Sequence, residues 1–316
     1  MLHAQSFPST AAPPRRASPR AGFALPIVVA ALGASLLVTA WLLHRAGLHV
    51  ALWSRSNLPF ALAGVCLFGL RSGMVLRRWR HADGLRDGAG YYAVFTLIAL
   101  TGAVASYPLA ALTQGYADAT LHRADVALGF DWLGWYRTVA AHRPLQWLGV
   151  AAYESIYLTP ALLLGWFAAH GQRIAAHRFL ASFWLAAVLT LALFTQMPAI
   201  GPLSYLWRGA VDYMPVSETW QSNLIPALRA RTVHVIDLGA LRGLVSAPSF
   251  HAAAGTLYLR TIWRTPPLRR LGWLVAAMLL ATPVEGTHYL TDMLIGAVVA
   301  LVAAQIVDAC LPEVRT

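Results

Sequence analysis

The tetrapeptides PSFH at residues 248–251 and GTHY at residues 286–289 are two polar islands in an otherwise apolar part of the chain. Asp292 follows the second island, and Gly296 follows Asp292 by about one helical turn. An ionisable side chain inside an apolar membrane segment is costly, so such residues indicate a functional site by default. Residues 247–296 therefore predict a membrane protein and also the place of its site.

His288 and Asp292 are spaced i and i+4, which places them on one face of a predicted helix. The carboxylate can then pair with one ring nitrogen and leave the other nitrogen free as a nucleophile or general base. His251 is the natural partner to protonate a leaving oxygen. The pattern predicts these three residues as catalytic.

Ser249 and Thr287 each precede an apolar run, where the N-cap residue of a helix belongs. Free N–H groups at a helix N-terminus bind phosphate. Two such termini beside two histidines predict a phosphoryl-transfer site.

Composition sets the fold class. Hydrophobic residues make up 58% and charged residues 12% of the 316-residue chain, and the mean hydropathy is +0.57. These values predict an all-α, polytopic transmembrane helical bundle. All 24 of the lysine-plus-arginine residues are arginine, so any phosphate clamp must use guanidinium groups. The arginines lie in short loops, which fits orientation in a bilayer, and we expect no nucleic-acid partner despite the net charge of +11.

The chain begins with a Pro-, Ser- and Arg-rich stretch, residues 1–22, that predicts a disordered cytoplasmic tail. Two N-terminal transmembrane helices and a basic loop are predicted over residues 23–90. Apolar runs predict about eight membrane helices in total, at residues 23–43, 58–76, 91–112, 145–169, 179–197, 248–263, 271–284 and 288–307. Residues 309–316 are predicted as a C-terminal tail.

The distribution of arginine predicts the orientation of the bundle. Arginines concentrate in the tail and in the loops at residues 71–90, 170–178 and 264–270, which predicts cytoplasmic N- and C-termini. His251 and His288 then both lie on the outer face. We expect a bacterial-type inner membrane with the site on its outer side.

Two outer segments are longer than simple connections. Residues 115–144 combine charges with aromatic residues, as an amphipathic helix at the lipid surface would. Residues 198–247 are long enough to fold over the site as a lid.

The motif Pro248-Ser249-x-His251, followed by His288-x3-Asp292, resembles signatures of the type 2 phosphatidic acid phosphatase superfamily, the relatives of vanadium haloperoxidases. The form with Gly286, Tyr289 and Gly296 looks most like its inositol phosphorylceramide synthase branch, a family of inositolphosphotransferases. The resemblance covers about residues 91–308 and implies a membrane catalytic domain with a six-helix phosphatase-like core.

The resemblance also implies roles for the residues of the motifs. His288 would attack phosphorus to form a phosphohistidine, Asp292 would orient it, and His251 would protonate the leaving group. Ser249 would bind a phosphoryl oxygen. No cofactor or metal is implied, and the expected substrate is a phospholipid or polyprenyl phosphate in the bilayer.

The chain departs from the phosphatases of this superfamily in its cations. It has no lysine for their Lys-x6-Arg-Pro motif, and Thr282 stands where they have an arginine before the nucleophile. The phosphate charge must be met by other arginines, with Arg208 and Arg242 as the predicted phosphate-binding pair and Arg229 and Arg231 as alternatives. The departure favours a transferase over a simple phosphatase.

Glu154, Thr287 and Tyr289 are predicted pocket residues, although Glu154 could instead bond a neighbouring helix and Tyr289 could be an interfacial anchor. Three rival interpretations of the histidine–aspartate set remain: a zinc site, a purely structural set of hydrogen bonds, and the relay of a proton-coupled transporter. The sequence does not decide the oligomeric state.

Overall fold

A computed structural model of the chain describes residues 24–72 and 82–311. The predicted tail at residues 1–22, the arginines at positions 77, 78 and 80 of the basic loop, and residues 312–316 of the predicted C-terminal tail lie outside these described residues.

Helices dominate the described residues, which confirms the prediction of an all-α polytopic protein. Five helices are long and apolar enough to cross a membrane by length and composition. The described helices are α1 (Ala24–Ala46), α2 (Leu58–Ser72), α3 (Ala82–Leu112), α4 (Asp118–Ala127), α5 (Trp132–Ala141), α6 (Arg143–Ala169), α7 (Arg173–Phe194), α8 (Pro202–Leu206), α9 (Trp220–Arg229), α10 (Phe250–Trp263), α11 (Leu271–Glu285) and α12 (Leu290–Cys310).

The predicted membrane segments correspond to α1, α2, α3, α6, α7, α10, α11 and α12. The third segment was predicted from residue 91, but α3 begins at Ala82. Its first turns carry Asp83, Arg86 and Asp87, which hide the helix from a search for apolar residues alone. Because α10 and α11 are only 14 and 15 residues long, they are short for a bilayer core about 30 Å thick.

Aromatic and small residues build the core of the bundle. The ring of Phe95 on α3 lies 4.5 Å from that of Phe183 on α7, and Phe179 packs 5.9 Å from Tyr258 on α10. Helices α10 and α12 meet through small side chains, because their shared buried residues include alanines at positions 252, 253, 254, 300, 303 and 304. Small residues allow membrane helices to approach closely, so α10 can hold its N-terminus beside that of α12.

The two outer segments fold as short helices at one end of the bundle. Residues 115–144 form α4 and α5 rather than the single amphipathic helix predicted, because Gly129 adopts φ +73° and breaks the chain between them. Residues 198–247, hereafter the lid segment, contain α8 and α9.

A short parallel strand pair joins the N-terminal helices to the lid segment. Strand β1 (His49–Val50) follows α1 and pairs with β2 (Val235–Ile236), with His49 opposite Val235. Beyond the strands, the hydroxyls of Ser54 and Ser56 donate to the Asp237 carboxylate. The lid segment is therefore held from the side of α1 as well as from the bundle.

Candidate active site

His288 and Asp292 meet at the start of α12. The helix begins at Leu290, not at His288 as predicted, and His288 lies in the turn before it. The side chains still pair, with His288 Nδ1 3.1 Å from Asp292 Oδ1, because Asp292 lies in the first turn and faces back toward the preceding chain. The oxygen lies out of line with the ring N–H, so the contact is a close approach rather than a well-directed hydrogen bond.

The N-terminus of α12 is closed by carboxylates. The N–H groups of Leu290 and Thr291 donate to Asp125 on α4 at 2.9 and 2.8 Å, and the Thr291 hydroxyl donates to the same carboxylate at 2.6 Å. The N–H of Tyr289 donates to Asp292 Oδ2 at 2.9 Å. The prediction of free N–H groups at this terminus is therefore wrong, and the N-cap is Tyr289 rather than Thr287, which has φ 50°.

Ser249 closes the start of α10 and joins it to α12. Its side-chain oxygen accepts the N–H of Ala252 at 3.2 Å, which confirms the predicted N-cap. Its own N–H donates to the backbone oxygen of Asp292 at 3.1 Å. A Cβ at Gly296 would lie 2.3 Å from the backbone oxygen of Ser249, so only glycine allows α12 to approach the start of α10 this closely. The two polar islands of the sequence are thus in direct backbone contact.

His251 and His288 face each other across this junction. Their ring centroids are 6.2 Å apart. The ring of Tyr153, on α6, stacks on His251 with centroids 4.2 Å apart, and its hydroxyl oxygen lies 3.3 Å from His251 Nδ1. The neighbouring Glu154, predicted for the pocket, has an exposed side chain. Of these two neighbours on α6, Tyr153 rather than Glu154 therefore contacts His251.

Thr287 and Tyr289 flank His288 and bind the outer segments. The Thr287 hydroxyl is 3.1 Å from that of Ser217 in the lid segment. The hydroxyl of Tyr289 donates to Asp118 on α4 at 3.0 Å, and both side chains are buried. Each neighbour of His288 is therefore held by a contact from outside the bundle.

Asp118 also fixes the first turn of the lid segment. Its carboxylate accepts the N–H groups of Ile200 and Gly201, both at 3.0 Å. Gly201 has φ +88°, and a Cβ there would lie 2.9 Å from the backbone oxygen of Thr287. Burial raises the pKa of Asp118, and the hydrogen bonds from Ile200, Tyr289 and Gly201 oppose that shift.

Glu285, the last residue of α11, anchors the middle of the lid segment. Its buried carboxylate accepts the hydroxyl of Tyr213 at 2.8 and 2.9 Å and the N–H of Val216 at 3.3 Å. Burial, followed by the hydrogen bond to Glu285, raises the pKa of Tyr213 above its ordinary value. A Cβ at Gly149 on α6 would lie 2.8 Å from Glu285 Oε1, so this glycine makes room for the carboxylate.

The predicted phosphate-binding arginines lie in the lid segment. Arg208 is exposed and donates to the backbone oxygens of Ser204 and Trp207. Arg242 is half-buried, with its guanidinium 4.1 Å from the centroid of the Trp220 ring. Within residues 24–72 and 82–311, the hydrogen bonds and ion pairs of His251, His288 and Asp292 include none with an arginine side chain.

Arg229, one of the two alternative phosphate-binding arginines, holds the lid segment against the bundle. Arg229 donates to the hydroxyl of Thr113 and the backbone oxygen of Gly115, both at 2.9 Å, and lies 4.5 Å from the Tyr116 ring. Arg231 is exposed. The contacts of Arg229 join the end of α9 to the end of α3, which is a structural role.

Sequence reasoning missed four residues that build the site: Asp118, Asp125, Tyr153 and Glu285. A signal for the first two was present, because Asp118 and Asp125 are seven residues apart and share one face of α4. Tyr153 and Glu285 carry no comparable signal, because their partners lie far away in the sequence. In the described part of the chain, no three His, Cys, Asp or Glu side chains are grouped so that they could hold a metal ion.

In space, His288 lies between Asp292 and His251, and Ser249 lies at the start of α10. The two sequence motifs imply this arrangement for phosphoryl transfer. A family model described as the PAP2 superfamily, the type 2 phosphatidic acid phosphatases, matches residues 119–306. The chain belongs to the PAP2 superfamily. The match covers α4 to most of α12, and so includes every residue of the histidine–aspartate set. No curated protein and no solved structure matches the chain.

Membership of the PAP2 superfamily makes the chain a phosphatase-type enzyme, and its long apolar helices make it a membrane protein. A PAP2 protein of this kind acts on lipid substrates in a bilayer.

Proposed function

We propose that this PAP2 enzyme transfers a phosphorylated head group, of the phosphoinositol type, between lipids through a phosphohistidine at His288. The observation that carries the proposal is the order of side chains at the junction of α10 and α12. Asp292 lies against Nδ1 of His288, which leaves Nε2 for the substrate. His251 lies on the other side, at a ring separation that lets one phosphoryl group contact both histidines.

The reaction has two steps. His288 Nε2 attacks phosphorus and forms a P–N bond while the P–O bond to the leaving group breaks, and His251 gives its proton to the departing oxygen. Asp292 stabilises the positive charge that develops on the His288 ring. In the second step His251 takes a proton from the acceptor hydroxyl, whose oxygen attacks phosphorus and releases His288. The acceptor is a lipid hydroxyl in the transferase and water in a phosphatase.

Ser249 supports the proposal as a phosphate ligand. Its oxygen accepts a backbone N–H, but a hydroxyl group keeps one hydrogen that it can donate. That hydrogen can bond a phosphoryl oxygen held between the histidines. Thr287 and Tyr289 would set the position of His288 rather than touch phosphorus, since each side chain is already bonded to the lid segment or to α4.

The charge around the site favours a phosphodiester donor. Four buried carboxylates, at positions 118, 125, 285 and 292, belong to the segment of residues 285–292 or bond to it. A diester carries one negative charge at phosphorus and a phosphomonoester carries up to two, so the diester meets less repulsion here. Of the two arginines proposed to bind phosphate, Arg242 is better placed than Arg208, because it is half-buried and precedes Ser249 by only seven residues.

The lid segment bears on the choice of acceptor. It is tied to Glu285, Asp118 and Thr287, all next to His288 in space or in sequence. A segment fixed in this way can keep water away from the phosphohistidine and so favour a lipid hydroxyl. The excess of arginine in the opposite loops supports a site on the outer face of a bacterial-type inner membrane, with cytoplasmic termini.

The test is product analysis with purified protein in detergent. Phosphoinositol-type diester donors and lipid phosphates are supplied with and without a lipid alcohol acceptor, and every product is identified by mass spectrometry. We expect head-group transfer with wild type and almost none with His288→Ala. A donor radiolabelled at phosphorus should leave an acid-labile label on wild type only.

His170→Ala is the matched control, because His170 stacks on Trp166 at an exposed position and contacts none of the site residues described. Hydrolysis alone, which releases free phosphate from a lipid phosphate or the phosphorylated head group from a diester, would leave the phosphohistidine step standing and overturn the transferase assignment. Equal turnover by His288→Ala and wild type would overturn the mechanism. Absence of any turnover by wild type would favour the proton-coupled transporter.

A further inference from the structure

Tyr153 contacts His251 in two ways at once. The two rings are nearly parallel, at 15°, with centroids 4.2 Å apart, and the phenol oxygen lies 3.3 Å from His251 Nδ1. The Tyr153 side chain is buried in the bundle. A stacked ring restrains rotation of the imidazole, and a hydrogen bond at Nδ1 bears on which nitrogen carries the proton.

The same tyrosine also touches the turn that holds His288. A Cβ at Gly286 would lie 3.2 Å from Tyr153 Cε2 and 2.5 Å from His288 Cδ2. Only glycine therefore lets the turn of residues 286–288 close against this ring. Tyr153 lies between the segments that carry the two histidines, so its position affects the general acid directly.

The chemistry of the pair depends on the tautomer of His251. A neutral imidazole has one N–H and one acceptor nitrogen, and the hydrogen bond made by one nitrogen decides the state of the other. A phenol oxygen accepts a hydrogen bond as well as donating one. When the Tyr153 oxygen accepts from Nδ1–H, Nε2 of neutral His251 carries a lone pair, and Nε2 of the imidazolium carries the proton that is given to a leaving oxygen. A neutral ring with its only proton at Nε2 could not act in this way, because giving up that proton would leave an imidazolate.

We propose that Tyr153 is a positioning residue, which accepts a hydrogen bond from Nδ1–H of His251 and so directs Nε2 to give a proton to the leaving group and to take one from the acceptor. This rests on the proposed function of His251 as general acid. It predicts that Tyr153 matters for poor leaving groups, such as the alkoxide of a lipid, and matters little for leaving groups that depart without a proton.

The test uses Tyr153→Phe, which keeps the stacked ring and removes the hydroxyl. With a lipid donor we expect kcat to fall by about tenfold to a hundredfold, which is part of the contribution of about 10²–10⁴ that a general acid makes, while KM stays close to wild type. With an aryl phosphodiester, whose phenolate leaves without protonation, kcat should change little. Tyr157→Phe is the matched control, because Tyr157 is one turn along α6 and 64% exposed.

A second variant separates positioning from packing. In a His251→Ala background, Tyr153→Phe should cause no further loss with the lipid donor, because the two residues act through one step. Equal losses with the lipid and aryl donors, or a further loss in the His251→Ala background, would overturn the proposal.

A measurement without turnover makes the proposal independent of the reaction. Protein labelled with ¹⁵N-histidine, with His251 assigned by comparison with His251→Gln, should show a protonated Nδ1 by solid-state NMR at neutral pH, with Nε2 bearing either the lone pair or a second proton. Tyr153→Phe should lower the protonated fraction of Nδ1. An unprotonated Nδ1 in wild type would overturn the tautomer assignment, whereas a correct tautomer with no turnover of any phosphodiester would overturn the proposed function alone.

Discussion

At the end of the bundle that holds His251 and His288, buried carboxylates accept backbone N–H groups and hydroxyls, whereas at the opposite end Asp308 pairs with arginines. Asp308 lies 3.4 Å from Arg178 of α7, 2.5 Å from Arg260 of α10 and 3.1 Å from Arg264. Both Asp292 and Asp308 belong to α12. The same helix thus carries one carboxylate that contacts a histidine and one that forms ion pairs with arginines.

The difference shows how charge is used at each end. At the opposite end, ion pairs join three helices and stabilise the bundle. At the site end, the carboxylates of Asp118, Asp125 and Glu285 fix loops and a helix start through directional hydrogen bonds. The Asp308 ion pairs are partly exposed to solvent, where screening by water reduces what each pair contributes. The comparison can be tested by changing matched residues at each end.

The largest effect is expected from the two carboxylates of α12. Asp292→Asn should lower turnover by about 10³-fold or more, because an amide cannot hold and charge-stabilise the catalytic imidazole as a carboxylate does. Asp308→Asn should leave turnover near wild type and lower the thermal unfolding temperature. Both variants are compared by their initial rates and thermal unfolding in the same detergent. An Asp308→Asn enzyme as inactive as Asp292→Asn would contradict the assignment of turnover to Asp292 and of stability to Asp308.

The next effect concerns the start of α12. Asp125→Ala leaves two N–H groups and one hydroxyl, all on half-buried residues, without their acceptor, and each such group costs up to about 1–3 kcal/mol. Asp131→Ala removes an exposed N-cap of α5 and should cost only about 1 kcal/mol. Denaturant or thermal unfolding compares the two, and similar losses would show that Asp125 has no special role.

A smaller effect is expected where α12 meets the start of α10. Gly296→Ala places a Cβ against the Ser249 oxygen and should cost about 1–3 kcal/mol through overpacking, with reduced turnover as His251 and His288 move apart. Gly165→Ala, in α6, meets no atom within 4 Å and should gain up to about 1 kcal/mol in helix propensity. A Gly296→Ala variant with full stability and activity would show that the close approach is dispensable.

The smallest effect is a pH dependence of stability. Because the pKa of Asp118 is raised in the folded protein, the folded state binds this proton more tightly than the unfolded state. The free energy of unfolding therefore falls as pH rises from the unfolded value near 3.8 to the raised pKa, and is constant above it. The slope in this window should be smaller in Asp118→Asn, and an unchanged slope would contradict the assignment to Asp118.

Much of this protein could be predicted locally, and the failures share one cause. The membrane helices follow from apolar runs, and the Ser249 cap follows from a hydroxyl before such a run. The start of α3 was predicted too late because its first turns are charged, and the start of α12 was predicted too early because a polar turn precedes it. Asp118, Asp125 and Glu285 were missed as site residues because their acceptor role depends on partners that lie 69 or more residues away.

The sequence by itself determined the membrane class and the histidine–aspartate motifs, because apolar length and the spacing of His251, His288 and Asp292 are properties of short segments. Tertiary structure decided how the motif residues are arranged. It brought Tyr153 rather than Glu154 to His251, since which face of α6 meets α10 depends on how the helices pack. It also closed the N-terminus of α12 with Asp125, because a buried N–H must find an acceptor and the acceptor comes from another helix.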